Sequence, residues 1–314
     1  MEFATLAAFL VVAAGLCLGD RGIRAHLAQR GGEAGPNPQR PQYALATAIK
    51  LLGRRPDRGP FRQRAPDLFF GGMPVLAPLL ALATVPFGRD LQVIQSSAGA
   101  LVSLAALGLA ALGYQMAAHG TTATPRPYGS AAARRSIVLL INVGVILIGA
   151  VVISGTADLA AIVDAQQSLA AWLVWRQPIG PALIVLALLL AGNREPAPAL
   201  PAPFDSGGRA VLHSLAAVFT RVFLAALVVS LYLGGWSPGL ALPEGAWWTL
   251  LSVIAFAVKT LLVLYAVNAI GRALPRARPD QTQRLGWTMI LPCAVANVLL
   301  TAVGVTLYRM FFAT

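Results

Sequence analysis

Apolar residues dominate eight stretches of the chain, near 3–19, 68–87, 94–117, 136–153, 179–192, 211–235, 247–270 and 286–312. Most are close to or beyond the ~20 residues a helix needs to cross the hydrocarbon core of a bilayer. The fifth is the shortest, and a start as early as Leu169 stays open. The ~10-residue segments of alternating polarity that mark a membrane β-barrel are not seen. The pattern predicts an all-α polytopic membrane protein, one integral membrane domain over residues 1–314 with about eight transmembrane helices. The first stretch has the position of a secretory leader. However, it lacks a basic segment before its apolar run, and Asp20-Arg21 stand where a small-residue cleavage site belongs, so a retained helix is expected.

The polar connections alternate in charge. Those over about 20–67, 118–135, 193–210 and 271–285 carry 19 of the 24 basic residues, whereas the intervening ones hold only Arg89 and Arg176. Basic connections stay on the cytoplasmic side. The four basic segments are therefore expected to form one cytoplasmic surface, with both termini outside a bacterial inner membrane. Within the first connection, Leu45, Ile49 and Leu52 fall at i, i+4 and i+7, while Thr47, Lys50 and Arg54 share another face. This predicts an amphipathic surface helix over Gln42–Arg55, lying on the membrane or against a partner. The Ala/Pro run at 195–203 predicts a stiff, extended loop. No internal repeat stands out.

Composition sharpens this picture. Charged residues make up 11% of the chain and mean hydropathy is +0.70, against about 25% charged residues in soluble domains. A soluble enzyme, a disordered chain and a nucleic-acid-binding domain are excluded, and the formal charge of +12 belongs to orientation rather than to nucleic acid. Cys17 and Cys293 sit in apolar runs without metal-ligand spacing, and His26, His119 and His213 do not cluster, so no metal is expected. There is no P-loop, Rossmann fingerprint or nucleophile motif, so the chain is not expected to catalyse a reaction alone.

Several segments, in order, resemble the H-type membrane subunit of NADH–quinone oxidoreductase (respiratory complex I), a family related to membrane subunits of group 4 nickel–iron hydrogenases and formate hydrogenlyase. They are Gly19-Asp20-Arg21, Gln29-Arg30 with Gly35-Pro36-Asn37, and Leu45–Leu52, where Thr47 replaces the family's aspartate. Leu76-Ala77-Pro78, Val85-Pro86, Leu233-Gly234-Gly235-Trp236 and Lys259-Thr260 follow, then Leu274–Gln281, Leu285-Gly286-Trp287, Leu291-Pro292 and Asn297. Together they span nearly the whole chain.

The resemblance implies a non-redox subunit that docks a peripheral arm of iron–sulfur subunits, contacts neighbouring membrane subunits, and forms part of a quinone chamber reached from the lipid. It binds no cofactor of its own; quinone is the substrate and the iron–sulfur clusters belong to partners. Asp20, Arg21, Arg24, Lys50 and Arg194 are the residues it points to at the quinone entrance, the first three placed where the first helix would leave the membrane. Two other readings stand beside it: a hydrogenase-type anchor without quinone, and a stand-alone ion or solute transporter.

The family also carries a chain of buried acids for proton movement, and here this sequence departs. Asn142 stands at a family glutamate in the fourth span and Ala217 at another in the sixth. The fifth–sixth connection keeps only Glu195 and Asp205 of several acids. Apart from Asp67 near a span edge, no carboxylate is expected within the spans. Lys259 fits the family but Arg221 does not. An unpaired charge at mid-bilayer costs roughly 2.5–3.5 kcal/mol, so Arg221 needs a partner, for which Asn142 or a neighbouring subunit's carboxylate are the candidates. Glu195, Asp205, Asn142, Arg221 and Lys259 are thus the proton-path candidates of a chain whose acidic wire looks degenerate.

Overall fold

The computed structural model describes residues 2–31, 61–89, 91–119, 127–192, 207–239, 245–274 and 279–312. The surface helix expected over Gln42–Arg55, Lys50 within it, and the Ala/Pro segment with Arg194, Glu195 and Asp205 lie outside these residues. The elements are α1 (Glu2–Arg30), α2 (Phe61–Ala83), α3 (Gly99–His119), α4 (Pro127–Ser154), α5 (Leu159–Asp164), α6 (Leu173–Arg176), α7 (Ile179–Gly192), α8 (Gly207–Tyr232), α9 (Ala246–Ala273), α10 (Pro279–Leu285) and α11 (Leu291–Phe312). A one-turn 3₁₀ segment, Leu169–Ala171, precedes α6, and a π-turn, Gly286–Ile290, joins α10 to α11. Among the described residues there is no strand, only a bridge between Gly88 and Leu91.

Six helical segments are long and apolar enough to cross a membrane: α1, α3, α4, α8, α9, and α10–α11 taken together. The apolar part of α2, Gly72–Ala83, and most of α7, Ile179–Leu190, are shorter. These eight fall where the eight apolar stretches were read, and the chain is an all-α, multi-pass membrane protein.

Two boundaries differ from the hydropathy pattern. The fifth helix does not reach back to Leu169. Pro178 disfavours helical backbone at the residue before it, and Gln177 is non-helical at φ −141°, ψ 70°, so α7 starts only at Ile179. The first helix does not stop at residue 19 but runs on to Arg30. At ~1.5 Å per residue its 29 residues reach about 43 Å, beyond the ~30 Å apolar core. The first eleven residues assigned to the connection 20–67 are therefore helix.

α8 is the axis of the molecule. Phe223–Val229 are at most 2% exposed, because α1, α2, α7 and α9 all pack around them. At the other extreme, α11 leans on α4 and α7 and turns Leu299, Leu300, Val303 and Leu307 outward. In a bilayer such side chains face lipid tails at no hydrophobic cost.

Cross-helix contacts fix the helix directions. Asp20 meets Asn268 and Leu27 meets Arg272, so α1 and α9 run parallel. Arg221 meets Asp20 while the Leu233 carbonyl meets Lys259, so α8 runs against them. Gly108 faces Leu140 and Gly144 faces Leu104, an antiparallel α3–α4 pair. These directions bring the C-terminal ends of α1 and α9 and the N-terminal end of α8 to one end of the bundle. The opposite end is closed by folded connections. In the turn after α2, Phe87 packs edge-on to Phe9 (5.6 Å) and Phe256 (5.2 Å). After α4, Asp158 caps α5 by accepting from the Ala160 N–H at 2.9 Å, and Leu159, Ile162 and Val163 are fully buried.

Candidate functional site

The helix continuing past residue 19 carries Asp20 into the interior, where it is fully buried. A bare carboxylate there would be prohibitively desolvated, and three side chains compensate it. Arg24, one turn along α1, places Nη2 2.9 Å from Asp20 Oδ2. Arg221, midway along α8, places its own Nη2 3.1 Å from the same oxygen. Asn268 of α9 donates from Nδ2 to Asp20 Oδ1 at 3.1 Å, and the same nitrogen donates to the Leu264 carbonyl at 2.8 Å. Both carboxylate oxygens are thus engaged and three helices are tied at one point. About two turns further along α1, Arg272 Nη1 donates to the Leu27 carbonyl at 2.8 Å, a second tie between α1 and α9. Arg21 is half-buried beside this group.

This geometry corrects two sequence expectations. Asp20 is not at a helix exit, and it is a carboxylate inside the first span, where none was expected. The hydropathy window ended at the first charge, whereas the helix continues because that charge is neutralised within the fold. Arg221 is paired by Asp20 within the chain itself; the two residues are 201 positions apart, and the α1–α8 packing brings them together. The i, i+4 spacing of Asp20 and Arg24 was a legible sign of a helical ion pair. Asn268 carried the weaker sign of an amide in an apolar helix.

Lys259 occupies a separate place near the opposite end. Its ammonium donates to the carbonyls of Leu233 (2.7 Å), Gly235 (3.2 Å) and Ser237, and lies 4.6 Å from the centre of the Trp172 ring. Those carbonyls belong to the turn that ends α8, where carbonyls lack helical partners and the helix dipole is negative. Gly234 and Gly235 bend this turn with φ of +67° and +49°, a conformation L side chains rarely adopt. All three ammonium protons are spent on backbone acceptors, the arrangement of a structural cap.

Two buried amides that sequence reading missed reinforce this end. Gln166 donates to the Ile162, Ser230 and Leu231 carbonyls and accepts from the Leu173 N–H at 3.0 Å. Gln177 donates to Thr301 Oγ1 at 2.9 Å and accepts from the Tyr232 hydroxyl at 3.4 Å. Asn142, in α4, is buried and donates to the Val138 carbonyl at 2.8 Å. It does not join Asp20 or Lys259. Ala217 is half-buried on α8.

An eight-helix apolar bundle with a compensated carboxylate at its heart defines a polytopic membrane protein of helical type. The profile of the NADH dehydrogenase family matches residues 1–302, and the chain belongs to that family. It is 29% identical over 314 residues to an H-type NADH-quinone oxidoreductase subunit of Rhodopseudomonas palustris, covering 95% of this chain and 93% of the relative. It is 30% identical over 291 residues to the H-type NADH-quinone oxidoreductase subunit of Bacillus cytotoxicus, covering 86% and 84%.

Proposed function

We propose that this chain is the membrane subunit of a complex I-like quinone oxidoreductase of a bacterial inner membrane, holding the peripheral iron–sulfur arm at its basic end. The observation that carries the reading is the family match along nearly the entire chain, from the first helix into the last. In this reading the basic end is cytoplasmic and both termini are outside. The arginine-rich connections there suit an electrostatically complementary docking face.

The quinone part of the reading is narrower. Two of the cavities lined by described residues leave about 20 and 10 Å³ open to the centre of a water molecule. Neither holds a quinone ring, which requires a pocket of several hundred Å³. The chain would therefore supply one wall of a chamber that the peripheral arm completes. In this reading Arg21 and Arg24, which are half-buried, would face that chamber with Asp20 behind them, and Lys50 and Arg194, which lie outside the described residues, are its further candidates. The second reading is an anchor for a redox arm that binds no quinone, the alternative that the sequence left open.

The proton path proposed for the family is degenerate in this chain. Asn142 and Ala217 cannot ionise in place of carboxylates, Arg221 is committed to Asp20, and Lys259 is committed to carbonyls. Glu195 and Asp205 are the acids left in the fifth–sixth connection.

The test is purification from native membranes in mild detergent, with identification of the co-purifying subunits and extraction of bound quinone. Iron–sulfur subunits with quinone support the reading. Iron–sulfur subunits without quinone support the anchor, and a homo-oligomer free of redox subunits refutes both. Full-stoichiometry proton pumping through the natural subunit would sink the degenerate path. Pumping that rises in the Asn142→Glu, Ala217→Glu double variant would uphold it.

A further inference from the structure

α7 is too short to cross a bilayer. Its 14 residues rise about 21 Å, against the ~30 Å of the hydrocarbon core. Both α9 and α11 pack beside it, and both continue past its first turn. Gln177, two residues before α7, donates to Thr301 Oγ1, and α11 runs on for eleven residues to Phe312, about 16 Å. Lys259 reaches the turn after α8 and the Trp172 ring, and α9 starts thirteen residues earlier at Ala246, about 20 Å along its axis. Residues 169–178 are therefore the floor of a notch, walled by the first half of α9 and the last half of α11.

The walls carry exposed apolar side chains well above that floor, such as Trp247 and Ile254 on α9 and Val303 and Leu307 on α11. Such positions belong in hydrocarbon. Trp247 and the pair Tyr308-Arg309 are the residue types that mark the headgroup level. They stand about 18 Å above Lys259 and about 12 Å above Thr301, at 1.5 Å per residue. Two separate helices thus set the floor at membrane depth.

The floor is built for a dry setting, where every backbone donor needs a partner inside the protein. The N–H groups of Ala171, Trp172, Trp175 and Gln177 donate to carbonyls of the same segment, and that of Leu173 donates to Gln166 Oε1. Even the indole N–H of Trp175 turns back, onto the Leu169 carbonyl at 3.0 Å. What remains facing outward is apolar: Trp175 is 71% exposed, Leu169 53% and Ile179 45%.

One charge stands on this floor. Arg176, beside Trp175, is exposed, and it has no partner among the described residues. A cation at such depth is costly unless polar groups are drawn in and the leaflet thins around it. An apolar floor with one guanidinium at its edge matches a molecule that brings acyl chains and an anion together.

We propose that the notch above α7 is a site for an anionic phospholipid of the adjacent leaflet. Its chains cover Leu169, Trp175 and Ile179, and its phosphate is drawn inward to Arg176. The leaflet is thinned there to the length that α7 can span. The site needs neither quinone nor a redox partner.

Contact quenching tests it on the full chain, purified with whatever subunits accompany it. Cys17 and Cys293 are first replaced by alanine, and Ile179→Cys is labelled with a nitrobenzoxadiazole fluorophore. The labelled protein is reconstituted into phosphatidylcholine vesicles. These contain increasing fractions of phosphatidylglycerol or phosphatidylcholine carrying a nitroxide on the acyl chain. Leu109→Cys, on the exposed side of α3, gives the unselective baseline.

The expected result is that phosphatidylglycerol halves the Ile179→Cys emission at an about fivefold lower mole fraction than phosphatidylcholine, the factor one basic residue supplies near a membrane surface. Adding Arg176→Gln should bring the two curves together and leave Leu109→Cys unchanged. No quenching by either lipid means that water or a partner helix covers the floor, and it overturns the proposal. Equal quenching by both lipids in the presence of Arg176 overturns it as well. Should Ile179→Cys fail to accumulate, Leu169→Cys, on the same floor, carries the test. The redox arm is proposed to dock at the opposite end, so its loss in purification leaves these curves in place and the two readings fail separately.

Discussion

Substituting Asp20 by asparagine keeps the shape of the side chain and removes its charge. In the native protein two guanidinium nitrogens stand 2.9 and 3.1 Å from one Asp20 oxygen. At an effective dielectric of about 20, each contact is worth on the order of 5 kcal/mol before desolvation is subtracted. Neutralising the oxygen removes both attractions and leaves Arg24 and Arg221 to repel each other in a buried site. Breaking one partner out of a buried ion pair costs about 3–5 kcal/mol. For a chain of this size the transition temperature should fall by roughly 10 °C, at ~2–4 °C per kcal/mol. The assay is the fraction of monodisperse protein surviving a heating series in detergent, an operational measure suited to irreversible unfolding. Arg221→Gln alone should cost less, because Asp20 keeps Arg24 and Asn268. The double variant Asp20→Asn, Arg221→Gln should recover at least a third of the Asp20→Asn loss, since one of the two stranded cations is gone. A single variant within 1–2 °C of the parent, where the pair energy above demands about 10 °C, refutes the argument. So does a double variant that loses the sum of both singles.

Three other outcomes follow from the same structure. Lys259→Met strands three carbonyls of the turn after α8 and should lower the detergent transition by several degrees, at ~1–3 kcal/mol for each acceptor left unsatisfied but not additively. Lys259→Arg should restore little of it, because the planar guanidinium cannot converge three donors on one point. Gly235→Ala combines a φ of +49° with a Cβ 2.6 Å from Val163 Cγ2, and should cut membrane-integrated yield more than Gly155→Ala, whose φ of +71° meets open space. Gln166→Leu should destabilise by ~2–4 kcal/mol by orphaning several backbone groups, whereas Tyr232→Phe, which gives up one 3.4 Å bond, should cost under ~1 kcal/mol; equal losses for the two would refute that ordering.

Helix number, approximate bounds and alternating direction were legible in the sequence, because hydropathy over ~20 residues and the placement of arginines are local signals. The interior polar contacts were not. Asp20 reads as the end of a span when taken alone, and only Arg221, 201 residues away, makes its burial tolerable. The converse error concerned Arg221, whose partner was sought in Asn142 because no acid was counted inside the spans. Gln166 and Gln177 sit in a connection where hydropathy carries no signal, and their meaning depends on distant groups, the Ser230 and Leu231 carbonyls of α8 for Gln166 and the hydroxyls of Tyr232 and Thr301 for Gln177. Lys259 was legible as an unusual cation, but its three backbone acceptors depend on how two glycines bend the chain. Periodicity reports which face is greasy; it does not report which distant backbone atom will need a donor.

The parallel pairing of the first helix with α9, with α8 between them in sequence, has a consequence for biogenesis. When α1 leaves the ribosome, neither Arg221 nor Asn268 yet exists. At ~5–20 residues per second, the 201 residues separating Asp20 from Arg221 take roughly 10–40 s to synthesise. Throughout that interval the carboxylate has Arg24, one turn away in the same helix, as its partner close in sequence. The nascent hairpins thus carry their own counterion until the later helices arrive, and Arg24 serves as an escort before it becomes part of the finished knot.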